Sequence, residues 1–214
     1  LPISIIVSAA GLASLVAVQY FDGSMPIWFW IIGMLLAFAC MYATILLGAG
    51  TGKREGLYIT ARAFVLAELV ASLHWQIVTF IGVRDGFTDY DWRAIALLVV
   101  TYALCFGLAW MVERGNFSQA TPTLPTASAA IATMAIMIVT FAMSNLSFVS
   151  TNTPFSGSVG QEIFYIRTLV DFCGFAILYA QQEQARRIEA NTELASINAQ
   201  LESQHQEYLQ SKEN

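Results

Sequence analysis

Between residues 162 and 180 the chain is apolar except for Glu162, Arg167 and Asp171. It then passes directly into the largely polar run QQEQARRIEANTELASINAQLESQHQEYLQSKEN. That run holds neither proline nor glycine, the two residues that most disfavour a helix interior. One helix that crosses a bilayer and continues into water is therefore expected from 162 onward. At 1.5 Å per residue the apolar part reaches about 28 Å, close to the hydrocarbon thickness of a membrane.

Five further stretches have the same character, at 3–21, 26–47, 57–83, 94–112 and 127–149. A soluble fold cannot bury so many apolar helices, whereas a bilayer removes the need. Composition agrees, with 57% hydrophobic and 12% charged residues among 214, against roughly 25% charged in soluble domains. The expected fold is all-α: a polytopic membrane bundle of six transmembrane helices over 1–180. A C-terminal cytoplasmic helix over 181–214 is continuous with the last span. The net charge of −5 and the lack of a basic stripe argue against nucleic-acid binding. Cys40, Cys105 and Cys173 lie inside apolar segments, with no disulfide or zinc spacing. Trp28, Trp30, Trp92, Trp110, Tyr20 and Tyr90 fall near span ends, where amphipathic rings favour the interface.

The joints are short: 22–25, 51–56, 84–93, 113–125 and 150–161. With both termini cytoplasmic, Lys53, Arg54, Arg114, Arg186, Arg187 and Lys212 lie inside. Only Arg84 and Arg93 lie outside, amid Asp85, Asp89 and Asp91. Positive residues favour the cytoplasmic side, which selects a multi-pass cell-membrane protein with both ends inside. The fifth span, rich in Ala, Ser and Thr, permits close helix approach and is expected in the bundle interior.

Arg62, Glu68 and His74 interrupt the third span, and Arg167 and Asp171 the sixth. A charge at mid-bilayer costs at least about 2.5–3.5 kcal/mol on insertion scales, so such residues face the bundle or water. Arg62 is close enough to the end of its span to snorkel. Placed by depth, His74, Gln76, Asn145, Arg167 and Asp171 share the outer half, with Glu68 deeper and its partner unreadable. Arg167 and Asp171, spaced i,i+4, share a face and can pair. The residues leave three uses open: interhelical packing, a ligand-sensing pocket with its coupling groups, or proton relay.

Several other signals lead nowhere. GAGTGKRE at 48–55 departs from a phosphate-binding loop at Leu47 and Arg54, and it joins two membrane helices. Sequons at Asn116 and Asn145 fall in an expected cytoplasmic loop and in a span. No catalytic set and no metal-ligand spacing is present.

In the tail, Ala190, Leu194, Ile197, Leu201 and Tyr208 fit a and d positions of a heptad, interrupted by Arg187 and Gln204. A homodimer through residues 187–208 is the natural use of that stripe, because a lone amphipathic helix in water is marginal.

The segments KREGLYITARAFVLAELVASLHWQ (53–76), FAMSNLSFVSTNTPFSG (141–157), EIFYIRTLVDFCGFAILYAQQEQ (162–184) and INAQLESQHQEYLQSKEN (197–214) occur in that order. Together they resemble the membrane region and linker of bacterial sensor histidine kinases with a GHKL-type ATPase domain, the quorum-sensing receptor kinases. The resemblance implies a two-component sensor that detects an unidentified peptide or small molecule and signals to a response regulator. It also implies that ATP and magnesium serve a kinase domain beyond this segment. The chain starts at Leu1 and stops in mid-pattern at Asn214, so it is expected to be part of a longer protein. His205 lacks a phosphoacceptor context and is given no such role; relatives often have an acidic residue where this chain has His74. The parent would be a protein-histidine phosphotransferase, with none of its catalytic residues here. The competing expectation is a six-helix substrate-capture component of a membrane transporter, for which the long polar tail has no evident use.

Overall fold

The computed structural model describes residues 2–22, 26–85, 92–117, 126–146 and 161–213, nearly all of them helical. Six helices follow in order: α1 (Pro2–Asp22), α2 (Ile27–Ala49), α3 (Lys53–Asp85), α4 (Trp92–Phe117), α5 (Ala127–Leu146) and α6 (Gln161–Glu213). Among the described residues there is no strand. The joints expected at 22–25, 84–93, 113–125 and 150–161 lie wholly or partly outside the described residues.

Among the described residues, five helices contain a segment long and apolar enough to cross a membrane: Ile3–Phe21, Trp28–Ala49, Lys53–Gly82, Trp92–Val112 and Ala127–Leu146. Helix α6 is not among the five. Arg167 and Asp171 sit within its apolar portion, and most of the rest of this 53-residue helix is polar.

Local chemistry sets the helix ends. Pro26, with φ −57°, precedes α2, where its fixed dihedral suits a helix start. Helix α2 stops at Gly50, whose φ of 64° is the left-handed conformation that glycine adopts without strain. Only Gly50, Thr51 and Gly52 separate it from α3, so the expected polar joint TGKREG is mostly the first turn of a helix. The Tyr42 hydroxyl donates to the Lys53 carbonyl at 3.1 Å and ties the two ends together. At α5, Thr126 caps the helix by accepting from the Ala129 N–H at 3.2 Å.

The molecule comprises two compact units, Leu1–Phe175 and Ala176–Asn214. In the first, α3 is central, packing against α2, α4 and α5, while α1 packs on α2. Gly11 brings α1 against Thr44, and Ser4 donates across the same contact to the Gly48 carbonyl at 2.8 Å. The outward faces of α1, α2 and α4 carry exposed Ile, Leu, Val, Phe and Trp. In water such a surface would be a liability, but in lipid it is solvated. Helix α5 buries one face only, through Ala130, Thr133, Met137, Thr140, Ser144 and Asn145. Ile131, Ile138 and Val139 on its other side are exposed, so the expected interior position applies to half the helix.

The second unit is the polar continuation of α6. Glu183 pairs with Arg187 at 3.1 Å and with Arg186 at 3.8 Å, the i,i+4 and i,i+3 contacts that support an exposed helix. Ile188, Leu194, Ile197, Leu201, Tyr208 and Leu209 are exposed along it.

Candidate functional site: a buried ionic cluster

Phe64, Glu68 and Ser72 follow one another at i,i+4 along α3, so all three lie on one stripe of that helix. Arg167 and Asp171 have the same spacing on α6. All four polar groups are enclosed: Arg167 is 1% exposed, Glu68 5%, and Ser72 and Asp171 0%. The guanidinium donates from Nη2 to Glu68 Oε2 at 2.6 Å. Its Nε lies 3.9 Å from Asp171 Oδ2, a looser contact. The Ser72 hydroxyl donates to that same Asp171 oxygen at 2.5 Å, and Ser144 of α5 stands beside the carboxyl. Three helices therefore meet at two carboxylates and one guanidinium.

The walls are aromatic. Trp30 of α2 is wholly buried, and the Arg167 guanidinium carbon lies 6.0 Å from its ring centroid, within cation–π range. Trp30 stacks on Phe141 at 5.7 Å, and Phe141 meets Phe64 at 5.6 Å. Trp30 thus stands near the start of α2 with its ring turned inward, against a buried cation and the Phe141 ring. Tyr102 of α4 lies within electrostatic range of Glu68 and Arg167.

Helix α6 approaches α5 closely at Gly174, where a β-carbon would collide with the Thr140 side chain. Thr140 faces Gly174, and Ser144 faces Asp171, so residue numbers rise on α5 as they fall on α6 and the two helices run antiparallel.

His74 is buried, with its ring 5.9 Å from Tyr102 and 6.1 Å from Trp75. Two residues beyond Ser72, it is turned about 200° around the α3 axis. The Asn145 amide donates to the Phe141 carbonyl of its own helix at 2.8 Å; its Oδ1 has no hydrogen-bond partner among the described residues. Gln76 is half-buried, and its Oε1 also has none among them. Arg62 lies over the Tyr58 ring at 5.6 Å, reaching toward the start of α3 as snorkelling requires.

Ser72, Ser144, Trp30 and Tyr102 complete the cluster without having been singled out from sequence. Ser72 carried a usable signal, sitting four residues after Glu68. The other three are set by packing between helices. Among the described residues no group of three or more His, Cys, Asp or Glu could hold a metal ion. Chemically the cluster can hold helices together, exchange partners or rearrange under a bound ligand.

No protein-family model, curated protein or solved structure matches this chain.

Proposed function

We propose that the chain is the membrane sensor module of a two-component receptor. In this reading α6 provides a sixth span, both termini are cytoplasmic, and the kinase region follows the tail. The observation that carries it is the Arg167–Glu68 ion pair, buried at 1% and 6% side-chain exposure between helices of the bundle. Ionised groups at such depth are costly and are kept where they do work. A pair that rests on one long side chain from each helix is suited to two alternative packings. A signal would act by favouring one packing, since a ligand with equal affinity for both shifts nothing. Arg167 and Asp171 lie on the same helix as the tail, which makes them the natural coupling groups. His74, Gln76 and Asn145, off the ion pair, are the candidates for ligand contact. The exposed Leu194, Ile197, Leu201 and Tyr208 support dimerisation through residues 187–208. ATP, magnesium and the response regulator belong to the region that would follow.

The test is a chimera in which a histidine-kinase core follows Asn214 in helical register, assayed in membranes with radiolabelled ATP. Glu68→Gln and Arg167→Gln are both expected to shift basal autophosphorylation at least several-fold, in the same direction. Unchanged phosphorylation in both, with each protein still folded, would refute the sensor reading. Uptake of a small solute by the chain alone would point to transport instead.

A further inference from the structure

Helices α3 and α5 leave an open groove whose lining shares no residue with the ionic cluster. Its volume is about 470 Å³. The floor is made by small or half-buried residues, Ala127, Ala130 and Met134, and the rims by Ile131 and Ile138, both more than half exposed. The lining is apolar except at one end, where Arg54 sits in the first turn of α3 beside Leu57. Arg54 is exposed and has no carboxylate or hydrogen-bond partner among the described residues.

We propose that this groove binds one anionic phospholipid, with an acyl chain along α5 and the phosphate against Arg54. Three observations favour that occupant. First, from Ala127 to Ile138 the groove runs about 16 Å at 1.5 Å per residue, which is one leaflet of a roughly 30 Å hydrocarbon core. Second, its charge is placed where a headgroup lies, at the helix end, and its sign is that of a phosphate's counterion. Third, α3 begins there, so the free N–H groups of its first turn add to the attraction for an anion. Alanines at 127, 130 and 135 leave the trough, and the isoleucine ridges keep a chain in it. The inference needs the apolar helices to lie in a membrane; it is independent of the sensor reading and of which face is cytoplasmic.

The test is native mass spectrometry of the purified protein, released from micelles doped with equal amounts of phosphatidylglycerol and phosphatidylcholine of the same acyl composition. One phosphatidylglycerol is expected to stay bound in preference to phosphatidylcholine by about fivefold, the factor associated with one basic residue near an anionic surface. Arg54→Gln should abolish the preference. Lys53→Gln, its exposed neighbour outside the groove, should leave it intact. Ala135→Leu should fill the trough and lower retention of both lipids several-fold, and the helical far-ultraviolet spectrum checks that each variant folds. Equal retention of the two lipids, equal loss in Lys53→Gln, or undiminished retention in Ala135→Leu would overturn the proposal. So would a dimer, seen in place of bound lipid, that Ala135→Leu converts to monomer.

Discussion

Which carboxylate owns Arg167 can be decided by measurement. Two are within reach, Glu68 at 2.6 Å and Asp171 at 3.9 Å. Coulomb attraction falls as 1/r, so the Glu68 contact is about 1.5 times stronger on distance alone. It also has a well-placed charge-assisted hydrogen bond, which the longer contact lacks. Arg167→Gln leaves two enclosed carboxylates without their cation, and removing one partner of a buried pair costs about 3–5 kcal/mol. Glu68→Gln is milder, at about 1–3 kcal/mol, because the guanidinium keeps Asp171 nearby and the amide oxygen still accepts. Unfolding in mixed micelles, titrated with a denaturing detergent and followed by circular dichroism, gives the four free energies of each double-mutant cycle. Coupling between Glu68→Gln and Arg167→Gln should fall in the upper part of the usual 0.5–3 kcal/mol range. It should also clearly exceed the average of about 0.6 kcal/mol found for hydrogen-bonded pairs between membrane helices. Coupling between Arg167→Gln and Asp171→Asn should be the smaller of the two. Reversed order, or additivity in the first cycle, would show that the short contact does not carry the attraction argued for it.

Ser72→Ala removes the donor to Asp171 and should cost about 1.5–3 kcal/mol in the same unfolding assay, with Ser72→Thr costing less if the hydroxyl is what matters. Gly174→Ala forces a methyl group into Thr140 and should destabilise by about 1–3 kcal/mol. Thr140→Ala in the same protein should recover most of that loss, and failure of the rescue would place the close approach elsewhere. Trp30→Leu keeps an apolar filling but removes the ring beneath Arg167. About 2 kcal/mol, the scale of a desolvated cation–π contact, should disappear, and Arg167→Gln should then add less than it does alone. In membranes, a cysteine placed at Leu201 should cross-link between copies under mild oxidation and one at Ser203 should not; equal yields would refute a seam on the leucine side.

The helices were legible in the sequence because hydropathy over about 20 residues is a strong signal, and the segments from 3 to 146 agree with it to within a few residues. The start of α3 was less legible. Lys53, Arg54 and Glu55 look like a loop to any reading based on polarity, yet a helix does not end where the hydrocarbon does. At the site, spacing alone brought Arg167 and Asp171 to one face. It could not rank Asp171 against Glu68, which lies 99 residues away in the chain. Depth put His74 and Gln76 level with the charges, but depth says nothing about azimuth: about half a turn of helix separates His74 from Ser72, whereas Gln76 lies on the stripe of Ser72, one turn beyond it. Trp30 stands near the end of its span, as read, but the sequence did not show that its ring turns inward to the guanidinium and Phe141.

The antiparallel course of α5 and α6 has a mechanical consequence. Arg54 and Ala127 mark the same end of α3 and α5, so α3 is antiparallel to α6 as well. With Ser72 and Asp171 level, Arg167 lies four residues beyond them on one side and Glu68 four residues beyond on the other. That is about 12 Å along the axes, a gap bridged only because arginine and glutamate are long. A shift of α6 toward its own N-terminal end lengthens the bridge to breaking, whereas the opposite shift slackens it. The ion pair therefore acts as a directional stop, resisting travel of the helix one way more than the other.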